Sequence, residues 1–214
     1  MTTEIDTFDL ANQNPFLWAG EKSTEIKASL GSQLNAKLGS KDNLSIGFII
    51  DHYYNSFADS SISSGIYDVD TDIEDQYNLY QLYTQLKHKF TDDKELYIGL
   101  HGQFLDLNNS YAIEPRFGFT WNLNDKNSLK FGYGLHAQMQ LRAIYFAQSK
   151  LSTGEYVTTN KDLDFSKSHQ LVIGYDHLFN DNLRFKFESY YQYLYDIPVS
   201  ISIPQYSVLN YGAE

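Results

Sequence analysis

The feature that most constrains this chain is a period-two alternation of apolar and polar residues, which recurs in eight stretches of roughly ten to fifteen residues. Only extended strands present side chains alternately to two faces, so the alternation predicts an all-β protein. The first stretch, Thr24 to Leu38, places Ile26, Ala28, Leu30, Leu34, Ala36 and Leu38 on one side and Glu25, Lys27, Gln33, Asn35 and Lys37 on the other. Its partner runs from Leu44 to Tyr54. Between them lies Gly39-Ser40-Lys41-Asp42-Asn43, a run of turn formers that suits a hairpin.

The unit recurs. Strands near 77–90 and 96–104 join through Thr91-Asp92-Asp93-Lys94, and those near 113–123 and 129–140 join through Asn124-Asp125-Lys126-Asn127-Ser128. A fourth pair, 169–179 and 183–195, turns at Asn180-Asp181-Asn182. On the opposite side Ala58 to Asp75 and Arg142 to Ser168 read as long, polar, irregular loops, and only the link at Asn108-Asn109-Ser110 is short. Residues 1–23 read as an N-terminal loop or irregular segment.

The apolar parity of the eight strands covers 51 positions, and none of them is Asp, Glu, Lys or Arg. With 20% of the chain charged, about ten would be expected there by chance. The opposite parity carries 13 charged residues. Parity alone leaves open which face turns outward, because a soluble barrel with an apolar interior shows the same pattern. Three features favour an outward apolar face. The strands are long enough for a tilted crossing of a hydrocarbon layer. Aromatics gather at both strand ends, with Phe90, Trp121 and Phe179 beside the short turns and Tyr54, Tyr80, Phe104, Tyr191, Tyr193 and Tyr195 toward the long loops. Small residues such as Ala28, Ala36, Gly102, Ala137 and Ser189 interrupt the apolar face, as suits a lipid-facing surface better than a packed core. The expected fold is therefore an antiparallel up-and-down transmembrane β-barrel segment. Its lipid-facing residues would include Leu82, Leu86, Phe117, Phe119, Phe131, Leu135, Phe185 and Phe187.

Composition narrows the function classes. The formal charge of -11 gives no source for sequence-independent phosphate attraction, so nucleic acid is not an expected partner. The absence of cysteine removes disulfides, thiolate metal sites and cysteine nucleophiles. No apolar run approaches the twenty residues of a membrane-spanning helix, and the first residues lack the apolar core of a signal peptide. The ending Tyr211-Gly212-Ala213-Glu214 runs past the last strand without a closing aromatic residue, so the chain is expected to be a piece of a larger barrel.

Four segments make a resemblance visible: Asn78-Leu79-Tyr80-Gln81-Leu82-Tyr83 leading to Leu100-His101-Gly102-Gln103; Ile113-Glu114-Pro115-Arg116-Phe117-Gly118; Leu129 through Gln138; and Glu188 through Val199. Over roughly residues 24–214 the chain resembles the C-terminal part of the barrel of TonB-dependent outer-membrane receptors of the Bacteroidetes type. The resemblance implies a bacterial outer-membrane transporter of 22 strands. It also implies a plug domain that fills the lumen and contacts the TonB complex, and extracellular loops that capture a siderophore or other nutrient. Plug, TonB box and final strands match no position here, so the expected domain is a partial barrel over 24–214. Contact with the TonB complex would run only through the missing plug. Expected partners are outer-membrane lipid, lipopolysaccharide and an unknown small-molecule nutrient. A self-contained eight-stranded structural or adhesive barrel, and a soluble barrel that binds an apolar ligand, are the alternatives.

Candidate lumen-facing residues follow from the polar parity: Glu114, Arg116, Lys130, His136, Gln138, Arg184, Lys186 and Glu188. Glu114 with Arg116, beside His136, Gln138 and Lys130 on the next strand, would form a hydrogen-bonded lattice that serves structure more than ligand binding. The acidic run Asp68, Asp70, Asp72, Glu74 and Asp75 brings calcium to mind, but Ile73 and Leu79 stand where an EF-hand needs Gly and Glu. It reads as a solvated loop. The six histidines lack the i, i+4 spacing of a helical zinc motif, so no metal site is expected. No nucleophile elbow, phosphate loop or dinucleotide fingerprint occurs. Neither an enzyme nor a cofactor is expected.

Overall fold

Each alternating stretch pairs with its sequence neighbour in the computed structural model. The structure describes residues 2–8, 15–63, 66–150, 153, 155–200 and 207; for 2–8, 15–19, 21, 59–63, 66–72, 149–150 and 156 only the backbone course is described. The strands are β1 (Thr2–Phe8), β2 (Pro15–Lys37), β3 (Asp42–Ser63), β4 (Ile66–Lys89), β5 (Lys94–Leu105), β6 (Ser110–Asn124) and β7 (Asn127–Gln138), then β8 (Gln148–Lys150), β9 (Tyr156–Thr158), β10 (Ser166–Asn180) and β11 (Leu183–Tyr195). One helical turn, α1 (Arg142–Tyr145), precedes β8. Among the described residues the main sheet has nine strands in the order β1-β2-β3-β4-β5-β6-β7-β10-β11, and β8 and β9 form a separate hairpin. Every pairing is antiparallel, as an up-and-down meander requires.

Register carries the apolar parity across the sheet without a slip. Leu30 of β2 faces Ile50 of β3, which faces Tyr80 of β4; Tyr80 faces Phe104 of β5, and Phe104 faces Tyr111 of β6. Farther along, Phe119 of β6 faces Phe131 of β7, which faces Ile173 of β10, which faces Ser189 of β11. A one-residue shift at any ladder would bring charges onto the apolar side. The eight residues expected to face lipid thus share one face, and it stays bare: Leu34, Leu82 and Phe187 are 67%, 64% and 55% exposed.

Three local expectations are corrected. The span 58–75 is no irregular loop. β3 and β4 continue as one ladder through Ala58↔Asp72 to Ser63↔Ile66, with a bulge between Asp59 and Ser60. Alternation in fact continues there, with Tyr67, Val69, Thr71 and Ile73 between Asp68, Asp70, Asp72 and Glu74, and backbone pairing carries the ladder on. Within 1–23 the described residues likewise carry strand: β1 pairs with the first part of β2, from Phe8↔Pro15 to Thr2↔Lys22. The span 142–168 contains α1 and the β8–β9 hairpin, and its Arg142, Tyr145, Phe146 and Phe165 pack back against polar-face residues of the sheet. The three short turns at 90–93, 125–126 and 181–182, and that between β2 and β3, lie on one side as expected.

The polar face is concave. Lys27 on β2 and Gln138 on β7 line the same cavity, although five strand spacings would put them about 24 Å apart in a flat sheet. At the loop end Tyr53, Tyr77, Leu79, Leu105 and Ala112 form a small core with Tyr145, Phe146 and Phe165 from the folded-back segment.

Candidate functional site

The polar parity of β5 and β6 sets His101 opposite Glu114 and Gly99 opposite Arg116. Glu114 is 1% exposed, and three neighbours satisfy it. Arg116 Nη2 donates to its Oε2 at 2.9 Å, His101 Nδ1 lies 3.0 Å from its Oε1, and the Gln103 amide donates to the same oxygen. The Gln103 amide nitrogen also reaches the Ala137 carbonyl at 2.9 Å, which ties the group to β7. A carboxylate this deep costs several kcal/mol to desolvate, so its three donors are what keeps it in place. His136 fits beside them because residue 134 is glycine: a Cβ there would stand 2.7 Å from His136 Nε2.

A second node forms around Asp176 of β10. Lys130 Nζ donates at 2.8 Å, and Arg184 binds through Nε at 3.0 Å and Nη2 at 2.7 Å. Lys130 therefore belongs with Asp176 and not with the Glu114 lattice. The reason is register: Lys130 pairs with Gly174, whose missing side chain lets it lean along β10. Lys186 and Glu188 pair with each other at 2.7 Å, both half exposed. Gln138 lines the cavity beside Glu114, Arg116 and His136.

Sequence reasoning missed a third node. Asp51 of β3, 3% exposed, takes Lys27 at 3.0 Å, Ser29 at 2.6 Å and Gln81 at 3.2 Å. Its polar parity was the available signal. Arg142 offered none, because it comes from a loop. Its guanidinium donates to Asn55 Oδ1 at 3.0 Å and to the Glu25 carboxylate, so it links α1 to β2 and β3.

The Glu114 and Asp51 nodes line an open mixed-charge cavity of about 530 Å³, with Met139 to Arg142 along its rim; the Asp176 node lies outside it. Both carboxylates are buried in the wall, while the Lys27 and Arg116 side chains are each 47% exposed. The rim segment is itself anchored. Lys161 Nζ reaches Asp75 at 2.6 Å, the Asn108 amide donates to the carbonyls of Lys161 and Leu163 at 3.0 and 2.8 Å, and the Gln140 amide donates to the Asp164 carbonyl at 2.6 Å. Burial raises the Tyr145 phenol above its ordinary value.

Of the acidic run, the side chains of Asp68, Asp70 and Asp72 lie outside those described. Glu74 accepts the Tyr54 hydroxyl at 3.1 Å, and Asp75 is held by Lys161. Among the described residues no three His, Asp or Glu side chains are placed to hold a metal ion.

No family model matches the sequence, and no curated protein matches it. Solved structures do match. A mutant of the ferric enterobactin receptor PfeA from Pseudomonas aeruginosa is 16% identical, with a TM-score of 0.61 over 87% of this chain and 28% of that one. The copper transporter OprC is 16% identical, with a TM-score of 0.57 over 84% of this chain and 32% of that one. The RagAB peptide transporter is 12% identical, with a TM-score of 0.57 over 81% and 24%. The chain thus spans about a quarter to a third of the structures it matches. In fold, this chain resembles a run of barrel strands from TonB-dependent receptors.

Proposed function

We propose that these strands are part of the wall of a TonB-dependent receptor in the bacterial outer membrane, toward the C-terminal end of its barrel, and that the whole protein imports a siderophore or other small nutrient. The observation that carries this reading is the pairing of an exposed face whose middle carries no charge with a concave face whose buried carboxylates are already matched. A wall between hydrocarbon and a polar lumen needs both. Neither β1 nor β11 finds a second neighbour among the described residues. In a bilayer those edges call for further barrel strands. In this reading the wall residues position and orient, the three charge nodes hold its curvature, and contact with the TonB complex belongs to a plug domain. No catalytic role is assigned to them.

The test uses the full-length gene product in its own host. It should fractionate with the outer membrane and change electrophoretic mobility on heating. Its deletion should slow growth on one limiting nutrient to the same extent as loss of the energy-transducing complex. Recovery of the protein in the soluble fraction would overturn the membrane reading. Unchanged growth on every limiting nutrient would overturn transport in favour of a structural barrel.

A further inference from the structure

The cavity on the polar face treats its two kinds of charge differently. Asp51 and Glu114 are sunk in the wall, whereas the cations that hold them, Lys27 and Arg116, stand half exposed. Arg142 adds a third cation from the rim, and its partner Glu25 is not among the lining residues. The Arg142 guanidinium carbon lies 6.0 Å from the centre of the Tyr53 ring and Lys27 Nζ lies 5.3 Å from the same centre, so one ring gathers two cation heads. Each head still has hydrogens to give. Arg116 spends one of its five N–H groups on Glu114, Arg142 gives one to Asn55 and one to Glu25, and one of the three on Lys27 meets Asp51. The amides of Gln81, Gln103 and Gln140, which also line the cavity, are engaged with Asp51, the Ala137 carbonyl and the Asp164 carbonyl. What stands out into the space is therefore mainly positive charge, in a chain whose formal charge is -11.

We propose that the imported nutrient is an organic polyanion and that this cavity holds its acidic groups, an inference that rests on the transporter reading above and names the class of molecule. Lys27 and Arg142 meet at one end, over β2 and β3. Arg116 stands on β6, three strand spacings or about 14 Å from β3 before curvature draws the ends together. A molecule with acid groups at both ends reaches both sets. A volume of about 530 Å³ is that of a small-molecule site. A neutral molecule would leave the three cation heads without a counter-charge, and a cationic one would be repelled by them. Glu114 keeps His101 and Gln103, and Asp51 keeps Ser29 and Gln81, so the cations can turn to a ligand without orphaning either carboxylate.

Lys27→Gln and Arg116→Gln test this, with Lys89→Gln as the control. Lys89 is an exposed cation at the last position of β4, outside the cavity. Each cavity variant leaves its carboxylate two other donors, so the wall should hold, and heat-modifiable mobility checks it. The full-length receptor in mild detergent is titrated by calorimetry with three acetylated tripeptides that differ in charge: triglutamate, triglutamine and trilysine. Triglutamate should bind wild type and Lys89→Gln alike, and the other two should give no saturable heat. Lys27→Gln and Arg116→Gln should each raise the triglutamate Kd about tenfold, the loss of one charge-assisted hydrogen bond. On wild type alone, about 1 M sodium chloride should raise it severalfold by screening, a readout that needs no variant. Unchanged triglutamate affinity in both variants, indifference to salt, saturable binding of triglutamine or trilysine in its place, or no binding of any probe would overturn the site. Absence of the wild-type protein from the outer membrane would instead fail the transporter reading beneath it.

Discussion

The Tyr83 phenol lies across Gly47, in the space that a side chain at position 47 would occupy, and its hydroxyl donates to Gln33 Oε1 at 3.1 Å. One tyrosine on β4 thereby spans β3 and reaches β2 on the polar face. The contact exists only because the residue opposite Tyr83 lacks a Cβ.

Gly47→Ala should therefore destabilise the sheet. The new methyl would collide with the Tyr83 ring and stand 2.8 Å from the Ser32 carbonyl, which belongs to backbone and cannot yield. A cost of about 1–3 kcal/mol is expected, the usual range for overpacking. Denaturant unfolding in detergent measures it. Adding Tyr83→Ala should recover part of the loss, because it removes the ring and leaves the carbonyl contact.

Glu114→Ala should cost more than Arg116→Ala. The first leaves His101, Gln103 and Arg116 facing an empty buried site, and the second leaves a carboxylate that still has two donors. About 2–3 kcal/mol is expected for Glu114→Ala, and Glu114→Gln should recover part of it. The same unfolding assay ranks the three variants, and a smaller loss for Glu114→Ala than for Arg116→Ala would contradict the lattice.

On the outer face, Phe117→Arg should cost about 2–4 kcal/mol, whereas Leu123→Arg, one residue from the short turn after β6, should cost about 0–1 kcal/mol. Yields of heat-modifiable protein report the difference. Equal tolerance at both positions would argue that this face does not meet hydrocarbon.

The segment between β7 and β10 should hold its place through neutral pH and loosen in strong base. Tyr145 is fully buried, and burial raises its phenol pKa above the ordinary value near 10. A group with a raised folded pKa contributes stability below its unfolded pKa and loses it as pH climbs through the folded one, so the window opens above about pH 10. Amide exchange over 139–165, followed against pH, checks this. Arg142→Ala should speed exchange in the same segment at neutral pH by releasing Asn55 and Glu25.

Much of this was legible beforehand. The seven ladders from β2 to β11, their short turns and the division of Glu114, Arg116, His136 and Gln138 from Phe117, Phe119, Phe131 and Leu135 follow from alternation, because a strand has only two faces. Lys130 was grouped with the wrong partner because register, not parity, brings it to Asp176. The hairpin over 58–75 was missed for a different reason: Tyr67, Val69, Thr71 and Ile73 do alternate with Asp68, Asp70, Asp72 and Glu74, but a run of acids has the composition of a solvated loop.

The residue pattern by itself determined which side chains travel together, since charge exclusion from one parity is a property of spacing alone. Only the folded sheet decided what lies on each side. Its curvature turned the polar parity inward, where Arg142 and Glu25, 117 positions apart, close on each other. That meeting depends on five strand crossings between β2 and β7 and on a loop folding back over them, and no local run of residues encodes either.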